Sequence, residues 1–144
     1  MKLTLNREFA RRHIFVAVVL AALGGWFGYD GFVNYPKQDD AFFETRHLKR
    51  DSAIARQKQF MALAFLASLL IGGHVWKLSR FAFAWDDDGF TCDGRRHAYA
   101  DVKSTDRKLW EKKGIIFLEL TDGSHIKLDA WHHAGVKDFV KKLG

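Results

Sequence analysis

The chain has 144 residues, 48% of them apolar, with 23 Lys and Arg against 17 Asp and Glu for a net charge of +6. Its single cysteine, Cys92, excludes an internal disulfide framework, and the absence of a recognition motif or basic helix argues against nucleic acid as a partner. The positive balance points instead to anionic lipid head groups, which attract surface-proximal Lys or Arg at about 1 kcal/mol each.

Mean hydropathy is −0.20, an average that hides two apolar runs diluted by a charged remainder. The first, IFVAVVLAALGGWFGYDGFV, begins at Ile14 and carries no charge until Asp30. The second, FMALAFLASLLIGGHVW, begins at Phe60 and carries none if His74 is neutral. At 1.5 Å per helical residue each run is roughly 25 to 30 Å long, close to one hydrocarbon core. Burial of both inside a soluble domain is the alternative, but the remainder is small and charged. A cleaved signal peptide is a second alternative for the first run, which follows Lys2, Arg7, Arg11 and Arg12. The run is long for that, and Trp26, Phe27 and Tyr29 suit an interfacial belt better than a cleavage site.

The expected organisation is an N-terminal cytoplasmic segment (residues 1–13), a first transmembrane helix (14–35), an extracytoplasmic helical loop (36–59) and a second transmembrane helix (60–77). Two spans put both termini on one side. Four basic residues precede the first span and none immediately follows it, so the positive-inside rule favours cytoplasmic termini. Small residues recur at helical spacing: Ala17, Ala21 and Gly25, overlapped by Gly24 and Gly28, and Ala64, Ser68 and Gly72 in the second run. Each set falls on one face, where backbones approach closely, either between the two helices or between copies or partners. Asp30 reads as reaching into the head-group layer. The Asn34-Tyr35-Pro36 step ends the first helix. From Lys37 to Gln59 acids precede bases with no further Gly or Pro, which reads as a helix running into the second span. Phe42, Phe43 and Leu48 give it an apolar side, for the membrane surface, a partner or nothing beyond solvent.

After Lys77 the apolar period changes from helical to alternating. Phe81, Phe83 and Trp85 alternate, the Asp86-Asp87-Asp88-Gly89 turn follows, Phe90 and Cys92 alternate again, and Asp93-Gly94 turns the chain. A strand-like stretch passes through His97, Tyr99 and Val102, and a turn is expected near residues 111–114. Ile116, Leu118 and Leu120 share one face of the next strand, Asp122-Gly123 turns it, and Ile126 and Leu128 return. An amphipathic terminal helix is expected from about Trp131, with Val136, Phe139, Val140 and Leu143 on its apolar side.

This order of short antiparallel strands, with Tyr99 to Val102, the spacing of Trp110, Gly114 and Leu118, the Asp-Gly turn and the closing helix, resembles a bacterial PH-like (pleckstrin-homology or GRAM-like) domain over about residues 80–143. The fold class expected is therefore a membrane α-helical hairpin plus a small α+β PH-like domain, a bent antiparallel sheet with a C-terminal helix over residues 80–144. The resemblance implies a bacterial inner-membrane setting, and the chain has room for only about five or six strands of that fold. Asp86, Asp87 and Asp88 stand in the first hairpin where phosphoinositide-binding members carry basic residues, which departs from their pattern.

No residues read as catalytic, cofactor-binding or metal-ligating. His125, His132 and His133 have neither HExxH spacing nor a CxxC partner and read as solvated histidines. Cys92 lacks a nearby activating base and reads as a core residue, and the triple aspartate lacks the later ligands of an EF-hand. Two functional classes remain, with no cofactor in either. One is an accessory or scaffold subunit that binds other membrane proteins or itself. Ile115 and Phe117 suggest it, because they point away from the Ile116–Leu118–Leu120 face unless the bent sheet covers them. The other is binding of anionic lipid or a small ligand through basic residues such as Lys103, Lys108, Lys112, Lys113 and Lys127.

Overall fold

A computed structural model describes residues 1–144. The chain divides into two units, Arg11–Val75 and a second one made of Met1–Ala10 together with Trp76–Gly144.

The first unit is a helical hairpin. Its helices are α1 (Arg7–Tyr29), continued by a π-helical turn Asp30–Asn34 and the short α2 (Tyr35–Lys37), then α3 (Asp40–Glu44) and α4 (Arg50–Ser79). The continuous stretches Arg7–Lys37 and Arg50–Ser79 are long and apolar enough to cross a membrane, and only 11% of each apolar window is buried. At 1.5 Å per residue each is about 45 Å long, against about 30 Å for a hydrocarbon core.

Local chemistry sets these boundaries. Asn6 caps α1 by accepting from the Glu8 amide at 3.0 Å. Pro36 lacks the N–H that would continue the ladder, and the helix ends one residue later at Lys37, close to the step expected to stop it. The expected single helix over residues 37–59 is broken. Asp39 starts α3 by accepting from the Phe42 amide at 2.9 Å, and His47 adopts φ 54°, a left-handed conformation that no helix continues through. Phe42 and Phe43 turn inward instead of forming an outward apolar side. Phe43 is buried, and both rings meet Tyr35 edge-on at 5.8 Å.

The second unit is an α+β domain. Its strands are β1 (Thr4–Leu5), β2 (Phe83–Trp85), β3 (Gly89–Cys92), β4 (Arg95–Ala98), β5 (Val102–Asp106), β6 (Ile115–Leu120), β7 (His125–Asp129) and β8 (His133–Ala134). A one-turn helix α5 (Trp110–Lys113) lies between β5 and β6, and α6 (Val136–Lys142) closes the chain. Two antiparallel three-stranded sheets run β2-β3-β4 and β5-β6-β7, and β1 pairs with β8. Asp93 and Gly94, with φ 47° and 86°, make the tight turn between β3 and β4 that alternation alone implied. The stretch expected to be one strand through His97 and Val102 is interrupted by a 3-10 turn at Tyr99–Asp101. Its Asp101 carboxylate accepts from the Ala98 amide at 2.7 Å.

One core serves both sheets. Phe83, Trp85 and Phe90 from the first and Ile116, Leu118, Leu120, Ile126 and Leu128 from the second bury together with Val136, Phe139 and Val140 of α6. The terminal helix starts at Val136, five residues later than expected, because His133 and Ala134 are taken up by pairing with Leu5 and Thr4. The first ten residues of the N-terminal segment are thus part of this domain. Lys2 pairs with Ala84 on the edge of β2, the Leu3 amide donates to the Phe83 carbonyl at 2.9 Å, and Leu3 joins the core.

Candidate interaction surface

The hairpin contact is a heptad-like seam. Ala17, Ala21, Gly24, Gly28 and Gly31 follow one another at alternating steps of four and three, the spacing of a left-handed helix pair. Ser68 Oγ donates to the Ala17 carbonyl at 2.8 Å, and Ala64 is buried. A Cβ on Gly24 would meet the Phe65 ring at 3.3 Å, one on Gly28 the Met61 sulfur at 3.0 Å, and one on Gly31 the Lys58 side chain at 3.1 Å. Gly25 and Gly72 have open space beside them, with nothing within 4 Å. The set expected to share one face therefore divides, since Gly25 lies one residue away from the seam.

The seam ends in the π-helical turn, where Gly31 lies against α4, and the same turn starts a polar ladder along its own surface. Asn34 Nδ2 donates to Asp30 Oδ1 at 2.9 Å, and Gln38 Nε2 donates to Asn34 Oδ1 at 3.0 Å. Asp30 is thus an acceptor for its own helix as well as a group near the end of the apolar run.

In the α+β domain the outer face of β5-β6-β7 holds the residues expected to touch a partner or lipid. Phe117 lies between Asp106 of β5 and Lys127 of β7 in register and is 36% exposed. The bent sheet therefore does not cover it. Ile115, on the same face opposite Asp129, is half-buried, and Lys112 and Lys113 are exposed on α5 immediately before the strand. Gly114 ends α5 in the left-handed conformation, φ 66°, which turns the chain from α5 directly into β6. Beside Phe117, Ser104, Asp106, Glu119 and His125 line a shallow depression of about 340 Å³. Lys103 and Ser104 both donate to Glu119, at 2.6 and 2.8 Å, and hold its carboxyl below the usual range.

The aspartate-rich hairpin is an internal clamp. Arg96 grips Asp86 with two guanidinium contacts of 2.6 Å, which hold that carboxyl far below the usual carboxylate range. Tyr99 donates from its hydroxyl to the Asp86 carbonyl at 2.7 Å, and Lys142 pairs with Asp87. Two of the three hairpin aspartates, Asp86 and Asp87, are thereby paired with the domain's own cations.

The histidines differ from expectation. His125 is exposed, but His133 is 6% exposed, not solvated. Its Nε2 lies 3.2 Å from the Leu78 carbonyl in the last turn of α4, and its ring lies 5.1 Å from Phe81. His132 lies 3.3 Å from Asp129 and meets Phe9 at 4.8 Å. Neither could be placed from sequence, because both are fixed by the pairing of β8 with β1. The apolar pattern reads Trp131 as the first residue of the terminal helix, which hides it as a surface group. It is instead a loop residue, 47% exposed, edge-on to Phe9 at 6.3 Å, with its amide donating to Asp129 at 2.9 Å.

No protein-family model, curated protein or solved structure matches the chain.

Cys92 is half-buried beside Asp93, Arg95, His97 and Ser124 in a depression of about 350 Å³. Burial first, and the Asp93 charge second, push its thiol up from 9.0 to about 11. The thiolate fraction near pH 8 falls about hundredfold with that shift, so alkylation of the folded protein by iodoacetamide should be at least that much slower than after unfolding. Because the folded protein holds the thiol proton more tightly, this group's contribution to stability is complete below pH 9 and fades as pH rises toward 11. Equal rates for folded and unfolded protein would contradict the burial.

Proposed function

We propose that the chain is a multi-pass integral protein of the bacterial inner membrane, crossing twice with both termini cytoplasmic, whose α+β domain is PH-like and serves as a non-catalytic accessory or scaffold subunit of a membrane assembly. The observation that carries the membrane part is the exposed apolar surface of the two long helices. Phe15, Leu23 and Trp26 on α1 and Leu63, Leu69 and Leu70 on α4 all stand open. Water penalises that much apolar surface at about 25 cal/mol per Å², whereas lipid does not. Orientation rests on the basic residues before the first span.

Several features favour a PH-like reading of the domain. Two antiparallel sheets share a core with a C-terminal helix, and the N-terminal segment supplies edge pairing that residues 80–143 alone lack. A binding role is favoured by Phe117, an aromatic side chain open on the outer sheet face with Lys127 beside it, which suits a partner surface with an apolar centre and a polar rim. Purification of the full chain from native membranes in mild detergent should bring down a stoichiometric membrane-protein partner. Phe117→Asp should abolish that copurification without loss of the chain itself. A lone monomer in gentle extraction, or an unaffected partner in the variant, would sink the subunit reading.

A further inference from the structure

Where α1 passes into α2, the hairpin holds two irregularities side by side. In the π-helical turn the Tyr35 amide donates to the Asp30 carbonyl five residues back, so the turn carries one residue more than an α-helical turn. Facing it, Gln57 Oε1 of α4 is buried and receives no hydrogen bond. The Gln57 Nε2 donates to the Tyr35 hydroxyl over a long 3.3 Å, and a Cβ on Gly31 would lie 3.2 Å from the Gln57 Cβ. Turning the amide over would put Nε2 in the same buried place and leave a donor unmet instead. A buried polar atom without a partner is costly, and it points to a second arrangement in which a partner arrives.

Asn34 is placed to be that partner. The extra residue of the turn is what sets Tyr35 toward α4. With the turn α-helical, each residue beyond it rotates by about 100°, and Asn34 takes the direction that Tyr35 has in the π register. Its amide carries both a donor and an acceptor, so it meets Gln57 whichever way that side chain lies. In the π register Asn34 is engaged on the adjacent face instead, donating to Asp30 and accepting from Gln38. Tyr35 is also the ring on which α3 packs, through Phe42 and Phe43 at 5.8 Å each. Arg50 latches this arrangement by donating to the Pro36 carbonyl at 2.9 Å and to Asp40 at 3.2 Å. Arg50, Ala53 and Gln57 follow one another at steps of three and four on one face of α4, and Ala53, between the other two, is buried.

Beyond the subunit role and independently of it, we propose that the π-helical turn is a register switch that opens and closes α3 over α4. In the closed, π register Tyr35 faces Gln57 and α3 is held down. In the open, α register Asn34 bonds Gln57, Tyr35 turns away with Phe42 and Phe43, and the face around Ala53 is uncovered. The change exchanges the Tyr35–Gln57 bond and the Asp30–Asn34–Gln38 ladder for an Asn34–Gln57 pair. A few polar contacts stand on each side, the near-balance that a two-state element needs.

Ala53→Cys in a Cys92→Ser background reads the opening in the full chain, in mild detergent, as the rate of reaction with a maleimide. Val33 is exposed, and deleting it removes the extra residue, so that the turn is α-helical with Tyr35 still toward Gln57 and no second register is left. Labelling should slow by about tenfold. Gln57→Leu keeps the bulk but removes the unmet oxygen, and with it the gain on opening, and should slow labelling by a similar factor. Arg50→Gln cuts the latch and should speed labelling by about fivefold. Simple fraying of α3 predicts the opposite sign, with the deletion and Gln57→Leu speeding the reaction or leaving it unchanged. Either of those results overturns the proposal, as does indifference to Arg50→Gln. Far-UV circular dichroism checks that helix content is kept; if the deletion variant misfolds, Gln57→Leu decides alone. Because rates are compared at one residue in detergent, failure of the subunit or membrane reading is a separate result.

Discussion

Replacing Phe139 by alanine should destabilise the α+β domain by about 3–5 kcal/mol, a large share of the 5–15 kcal/mol that holds an ordinary domain together. Phe139 is fully buried and is the side chain through which α6 closes the core. It meets Phe83 at 4.8 Å, Trp85 at 5.6 Å and Phe90 at 5.6 Å, mostly edge to face, and Tyr99 at 6.4 Å. Removing the ring leaves a cavity that four aromatic neighbours cannot collapse into without leaving their own rotamers, which places the expected loss toward the upper end. Urea unfolding in mild detergent, followed by near-ultraviolet circular dichroism, reads the effect as a lower midpoint at unchanged slope. Leu143→Ala is the control. Leu143 is only half-buried at the edge of this core and should move the midpoint much less. Equal midpoints for Phe139→Ala and the parent protein would remove α6 from the core.

The second large effect separates two glycines three residues apart. Leucine at position 28 must displace the Met61 side chain across the seam, because even a Cβ there comes within 3.0 Å of the sulfur. Overpacking of this kind costs about 1–3 kcal/mol. Leucine at position 25 meets nothing within 4 Å and should leave the hairpin intact. A cysteine pair replacing Ala17 and Ser68, in a Cys92→Ser background, gives the readout, since those residues already touch across the seam. Oxidative cross-linking should persist with Gly25→Leu and be strongly reduced with Gly28→Leu. The same pair of variants also divides contacts within one chain from contacts between chains. If Gly25→Leu abolishes self-association while the cross-link forms, the open face around Gly25 joins copies.

How far the residues could be read in advance depended on the range of the interactions that place them. The two apolar runs, the alternating strands and the Asp-Gly turns are local signals, and Ile116, Leu118, Leu120, Ile126 and Leu128 bury on the face their alternation implies. What escaped was set by distant residues. Nothing near Thr4 and Leu5 says that they pair with residues almost 130 positions later, and that pairing is what delays α6 to Val136 and buries His133. The break at His47 likewise goes against a run of good helix formers, and it accompanies the inward turn of Phe42 and Phe43 onto Tyr35. On the hairpin, spacing of four identified small-residue faces but not which one is used. The seam follows alternating steps of four and three, which takes in Gly28 and leaves Gly25 out. Phe117 was legible as facing away from Ile116, Leu118 and Leu120 because alternation is local, whereas Lys127 comes beside it only through the register of β6 with β7.

The most direct test of the central claim is topology in native membranes. In a Cys92→Ser background, single cysteines replace Thr45, in the segment joining the two long helices, and Ser124, in the α+β domain, both exposed. Membranes are washed in alkaline carbonate, and intact cells are treated with a membrane-impermeant maleimide. The account predicts that the chain stays in the membrane pellet, that Thr45→Cys is labelled from outside, and that Ser124→Cys is labelled only after the membrane is opened. Release of the chain into the carbonate supernatant, or identical labelling at the two positions, would contradict it.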